Sequence, residues 1–121
     1  MKSYSEYVAQ VRGQINEITL SQLPEWLDDG VVLIDVREPA EWHAGHIPGA
    51  VHVPRGVLEG KIESLSVFEG LDPAALRKKP IVLYCHSGAR SALAAASLHA
   101  MGFQRVVSLA EGYKGWAEAL P

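Results

Sequence analysis

The chain contains one cysteine, Cys85, among 121 residues. No internal disulfide can form, and a secreted scaffold stapled by disulfides is excluded. No stretch approaches the roughly 20 apolar residues that a membrane-spanning helix requires. The opening residues, Met1-Lys2-Ser3-Tyr4-Ser5-Glu6-Tyr7, lack the apolar segment of a signal peptide. The expected compartment is the cytoplasm, where a lone thiol stays reduced and free for chemistry. Positive charge is also scarce: 11 Lys and Arg face 14 Asp and Glu, for a net charge of -3. That balance offers no electrostatic footprint for a nucleic-acid backbone. Internal repeats, low-complexity tracts, Walker-type phosphate loops and dinucleotide fingerprints are all missing. His43 and His46 stand three apart without a further matched ligand set, so no metal is expected. No organic cofactor is expected either.

What is present is ordinary globular composition, 48% hydrophobic and 21% charged. The length suits one domain with a single core, and a monomer is the expectation from size. Tyr4, Tyr7, Val8 and Val11 recur at helical intervals and predict a short amphipathic helix over residues 3–13. Residues 15–18 read as a brief strand. A helix is expected over residues 23–27, with capping candidates in Thr19-Leu20-Ser21-Gln22 and a stop at Asp28-Asp29-Gly30. Val31-Val32-Leu33-Ile34-Asp35-Val36 is apolar without alternation, as in a strand covered on both faces. Residues 50–53, 81–84 and 106–109 read as further buried strands. Residues 91–101, ending at Gly102, and residues 112–120 read as helices. Strands alternating with helices predict an α/β fold with a mainly parallel sheet, whose ligands bind beyond the carboxyl ends of the strands.

Cys85 directly follows the strand Ile81-Val82-Leu83-Tyr84 and precedes His86-Ser87-Gly88-Ala89-Arg90-Ser91 and an alanine-rich helix. A loop entering a helix turns backbone N–H groups inward and forms an anion nest. A cysteine at its rim is favoured as thiolate over thiol. Gly88 permits the turn, Arg90 adds positive charge, and Ser91 supplies a hydroxyl to the sulfur or caps the helix. The alternative is a buried structural cysteine, but the end of a strand ahead of Gly, Arg and Ser is where a nucleophile belongs.

This loop resembles the active-site loop of rhodanese domains, sulfurtransferases that work through a cysteine persulfide. Asp35-Val36-Arg37-Glu38-Pro39-Ala40-Glu41-Trp42, with Gly45-His46-Ile47-Pro48-Gly49-Ala50 and Val53-Pro54, is similar to the family's upstream signature. Glu111-Gly112-Tyr113-Lys114-Gly115-Trp116 is similar to its glycine-and-tryptophan block. The resemblance implies a rhodanese-like α/β fold: a central, mainly parallel five-stranded sheet with helices on both faces. Residues 15–121 would form that domain and residues 1–14 a helical N-terminal extension.

The resemblance further implies Cys85 as nucleophile and persulfide carrier. The backbone of His86, Ser87, Gly88, Ala89, Arg90 and Ser91 would bind the sulfur substrate. Arg55, after Val53-Pro54, is expected near the catalytic face, drawing anionic donors. Asp35 and Arg37 are expected as scaffold, and His46 as the maker of a structural hydrogen bond. Expected partners are a small sulfur donor such as thiosulfate and a thiol or cyanide acceptor, with a sulfur-carrier protein as a further partner. His86 stands where thiosulfate-preferring members often carry a basic residue. A sulfur-relay or interaction module is the second reading. A cysteine phosphatase or arsenate reductase is the third, and such phosphatases have one more residue between cysteine and arginine than the four found here.

Overall fold

A computed structural model describes all 121 residues. The chain begins with α1 (Tyr4–Arg12), β1 (Asn16–Ile18), α2 (Leu23–Asp28) and β2 (Val32–Asp35). Next come α3 (Pro39–Ala44), β3 (Val51–His52), α4 (Leu58–Lys61) and α5 (Pro73–Arg77). The remainder is β4 (Pro80–Tyr84), α6 (Ala89–Ala100), β5 (Arg105–Leu109) and α7 (Gly112–Glu118). The five strands form one sheet in the order β1-β5-β4-β2-β3, and every pairing is parallel.

Alternation along the strands divides the core into two layers. Ile81, Leu83 and Cys85 face one side with Ile34, Val36 and Val106, and Ala94, Ala95 and Leu98 of α6 cover them. Val82, Tyr84, Leu33, Val107 and Leu109 face the other side, beside Leu23 of α2 and Trp116 of α7. Cys85 thus continues the buried alternation of β4 one residue past its end. All strand carboxyl ends lie along one edge of the sheet, so residues after β2, β4 and β5 meet there.

Three expectations need correction. The α1 stripe is buried only at Val8 and Val11, whereas Tyr4 and Tyr7 are 62% and 49% exposed. The helix packs against α6 and covers it with its C-terminal half. Gln22 is the N-cap of α2 without a side-chain cap; instead, Thr19 N–H donates to Gln22 Oε1 at 2.8 Å. Finally, α6 starts at Ala89 with Gly88 as N-cap, so Ser91 lies inside the helix and does not cap it.

Candidate active site

The loop between β4 and α6 curls around Cys85 Sγ. Gly88 N–H donates to the sulfur at 3.1 Å and Ser91 N–H at 3.4 Å. Ser91 Oγ lies 3.5 Å from the sulfur, 2.7 Å from Ser108 Oγ and 3.3 Å from Gly88 O. Of the loop amides expected to form a nest, these two reach the sulfur. Cys85 itself is 1% exposed, while His86 and Ser87 beside it are exposed and Ala89 and Arg90 half-buried. The sulfur lies under the loop, not at its rim, because it completes the α6-facing layer.

Gly88 adopts φ +96°, a left-handed conformation that side chains disfavour. A methyl group there would also lie 2.6 Å from Ala110 O and 2.7 Å from Arg12 Nη2. On the other side, the start of α7 grips the loop: Tyr113 N–H donates to Cys85 O at 2.8 Å and Lys114 N–H to His86 O at 3.0 Å. Gly112 allows this approach, since a Cβ there would sit 2.8 Å from Cys85 O.

Arg90 does not stand free. Its Nη1 and Nη2 donate to Glu41 Oε1 and Oε2 at 2.6 and 2.9 Å. Arg90's bonds hold the Glu41 carboxyl down at about 2, and Glu41 in turn raises the guanidinium above its usual range. Glu41 falls within the upstream signature, but the sequence alone gives it no role. The only available signal was its place one turn into a helix that follows β2.

Asp35 and Arg37 form a buried pair at 2.8 Å, with side chains 0% and 3% exposed. Arg37 Nη2 also donates to Gly45 O at 2.6 Å, and the guanidinium lies 4.2 Å from the Tyr113 ring centre. This post ties the end of β2 to α3 and α7, as the scaffold reading expects. Tyr84 OH accepts from Ile47 N–H at 3.1 Å, and burial pushes its phenol well above the usual range. Arg37, Glu41, Ala44, Gly45, His86 and Tyr113 line a hollow of about 300 Å³ beside the cysteine loop.

Arg55 lies differently. Its N–H bonds Val36 O at the carboxyl edge of the sheet, at 2.9 Å, but its guanidinium turns to Glu59 at 2.7 Å. Ser97 Oγ donates to the same carboxylate at 2.6 Å and, ahead of Arg55, lowers its pKa. No hydrogen bond or ion pair joins Arg55 to the cysteine loop. His46 Nδ1 donates to Trp42 O at 3.2 Å, and its ring stacks on Trp42 at 3.5 Å. No three His, Cys, Asp or Glu side chains converge as a metal site would need. No helix is long and apolar enough to cross a membrane.

Comparison with known proteins matches this geometry to one family. The profile of the rhodanese-like domain covers residues 19–119. The chain is 30% identical over 118 residues to the "Putative sulfur carrier protein YrkF" of Bacillus subtilis, covering 96% of this chain and 58% of that protein. It therefore spans a little over half of that relative's length. It is 34% identical over 105 residues to a protein named "Sulfurtransferase" from Allochromatium vinosum, covering 85% of this chain and 89% of that one. Among solved structures, a Rhodopseudomonas palustris protein titled as of unknown function, "Possible Tyrosine Phosphatase", superposes with a TM-score of 0.81. It shares 30% identity, covering 98% of this chain and 92% of that one. The all-parallel sheet, the cysteine loop at its carboxyl edge and the match over residues 19–119 together make this chain a member of the rhodanese-like domain family.

Proposed function

We propose that the protein is a sulfurtransferase that carries sulfur as a Cys85 persulfide. The observation that carries this reading is the pair of N–H groups, from Gly88 and Ser91, directed at Cys85 Sγ. Fixed amide donors stabilise negative charge on sulfur without reorganising during reaction. In the first half-reaction the Cys85 thiolate attacks the outer sulfur of a donor such as thiosulfate. A Cys85 S–S bond forms, the donor's S–S bond breaks, and sulfite leaves with the bonding electron pair. In the second, cyanide or a thiolate attacks the outer persulfide sulfur, and Cys85 departs as thiolate. The covalent intermediate divides one transfer into two easier ones. The negative charge sits on Cys85 Sγ before the first half-reaction and after the second, which is why stationary amide donors suit both steps.

The donor, the acceptor and the cytoplasmic setting belong to this proposal. A protein partner in a sulfur relay is the second reading, favoured by the name of the Bacillus subtilis relative. Phosphatase chemistry fits less well. Only four residues separate Cys85 from Arg90, and the Arg90 guanidinium is already held at both nitrogens by Glu41.

Intact mass spectrometry tests the proposal. Reduced protein incubated with thiosulfate should gain the mass of one sulfur atom and lose it on adding cyanide, and Cys85→Ser should gain nothing. A chain that takes no sulfur from any sulfane donor, yet hydrolyses an aryl phosphate in a Cys85-dependent way, would overturn it.

A further inference from the structure

We propose that Arg12, on the helix preceding the matched family region, is a positioning residue that holds the Gly88 N–H on the Cys85 sulfur; this rests on Cys85 being the reactive group. The matched region begins at residue 19, so neither the family signatures nor the sequence reading assign α1 a part in the chemistry. The structure places its last residue against the loop that carries it.

Arg12 is fixed at two points. Its Nε donates to Glu17 Oε2 at 2.8 Å, and its Nη2 donates to Ala110 O at 3.0 Å across 98 positions of sequence. Val8 and Val11 anchor the helix against α6. So held, the guanidinium lies on Gly88, at the place a Gly88 side chain would fill, 2.7 Å from a Cβ built there. Ala110 O closes on the same spot, at 2.6 Å.

Glycine has the widest backbone freedom of any residue, so its own conformational preferences do not fix the direction of its N–H. Neighbouring atoms must do so. Arg12 and Ala110 O form that stop, and the bond between them holds its two halves together. The N–H thus restrained donates to Cys85 Sγ at 3.1 Å, the shorter of the two amide contacts. Glycine at position 88 accordingly serves two ends: it permits the turn, and it leaves room for the guanidinium.

The test uses the full chain with Arg12→Ala, Arg12→Lys and Glu17→Gln. Two quantities are read: kcat/KM for thiosulfate-to-cyanide transfer, and the rate of Cys85 alkylation by iodoacetamide from pH 5 to 9. His86, Arg90 with its partner Glu41, Arg37, and Tyr113 and Lys114 of α7 are the other charged or titratable groups around the loop; all are unchanged, so any displacement of the profile reports on Arg12.

Loosening a reacting group by a fraction of an ångström costs on the order of tenfold in rate, and that loss is expected of Arg12→Ala in both readings. Its alkylation profile should also move to higher pH. Arg12→Lys, which keeps charge and a donor, should recover part of the loss. Glu17→Gln, which keeps the contact to Ala110, should stay within about twofold of the parent. Alkylation of Arg12→Ala at the parent rate and with the parent profile would overturn the proposal and leave Arg12 as an anchor for α1 alone. Should Arg12→Ala not fold, Arg12→Gln decides by the same outcomes. If the parent protein takes up no sulfur, the proposed function fails, and the alkylation arm still decides whether Arg12 governs Cys85.

Discussion

Glu41 and Arg90 are joined by two parallel bonds, of 2.6 and 2.9 Å, that tie α3 to the first turn of α6. The arginine that sequence reading assigned to substrate is therefore partnered within the protein. Its charge is shared between the loop and the scaffold, and it arrives at the cysteine already oriented.

This pair sets a pH dependence. The Glu41 carboxyl is held at about 2 against an ordinary 4.5, chiefly by its bonds to Arg90. A lowered folded value gives stability that is fully present above about pH 4.5 and lost as pH falls toward 2. Both side chains are 33% exposed, and solvent screening limits the contribution to about 1 kcal/mol. Glu41→Gln should remove that much of the stability loss between pH 5 and 2 in denaturant titrations. An unchanged acid slope would show that the pair contributes nothing.

Asp35→Asn should be far more damaging. Arg37 would keep its buried position, 3% exposed, without its countercharge. Removing one partner of a buried ion pair costs about 3–5 kcal/mol. Urea unfolding should show that loss, and sulfur transfer should fall with it, because Arg37 braces Gly45 and the Tyr113 ring beside the hollow.

Ser91→Ala tests the hydroxyl pair under the loop. Ser91 and Ser108 are both 0% exposed and bonded to each other at 2.7 Å. Truncating one strands the other, at about 1–3 kcal/mol. The Ser91 N–H to sulfur survives the change, so stability should fall more than the rate of Cys85 alkylation. A large rate loss with unchanged stability would instead assign the hydroxyl to the chemistry.

Gly88→Ala combines a left-handed backbone with a collision. The strain alone costs about 1–3 kcal/mol, and the new methyl must displace Ala110 O or Arg12. Sulfur uptake measured by intact mass should slow sharply even in the fraction that folds. Normal uptake would mean that the loop tolerates being rebuilt.

Much of this arrangement was legible in the sequence, for identifiable reasons. Strands β2, β4 and β5 announced themselves as uninterrupted apolar runs, and their observed bounds fall within about two residues of the expected ones. The cysteine loop was readable because its residues are local: Cys85, Gly88 and Ser91 lie within seven residues. After Arg55, the segment to residue 77 was silent. Its helices α4 and α5 have four and five residues, too few for periodicity to accumulate, although Leu58, Ile62, Phe68 and Leu76 are all core. The guanidinium of Arg55 was misjudged in direction because a local partner, Glu59, lies one helical turn away. Arg12 could not be found at all, since its contacts to Gly88 and Ala110 depend on the tertiary fold.

The strand order has a consequence for synthesis. β1 pairs only with β5, joining Asn16 to Val107. On the ribosome, the first strand to emerge must wait without a partner for the last. Chains stalled before residue 105 would expose an open border on β4 and leave the neighbourhood of Ala110 unbuilt. Such long sequence separations favour slow assembly, and a chain of this topology completes its sheet and the surroundings of its cysteine loop in nearly the same event.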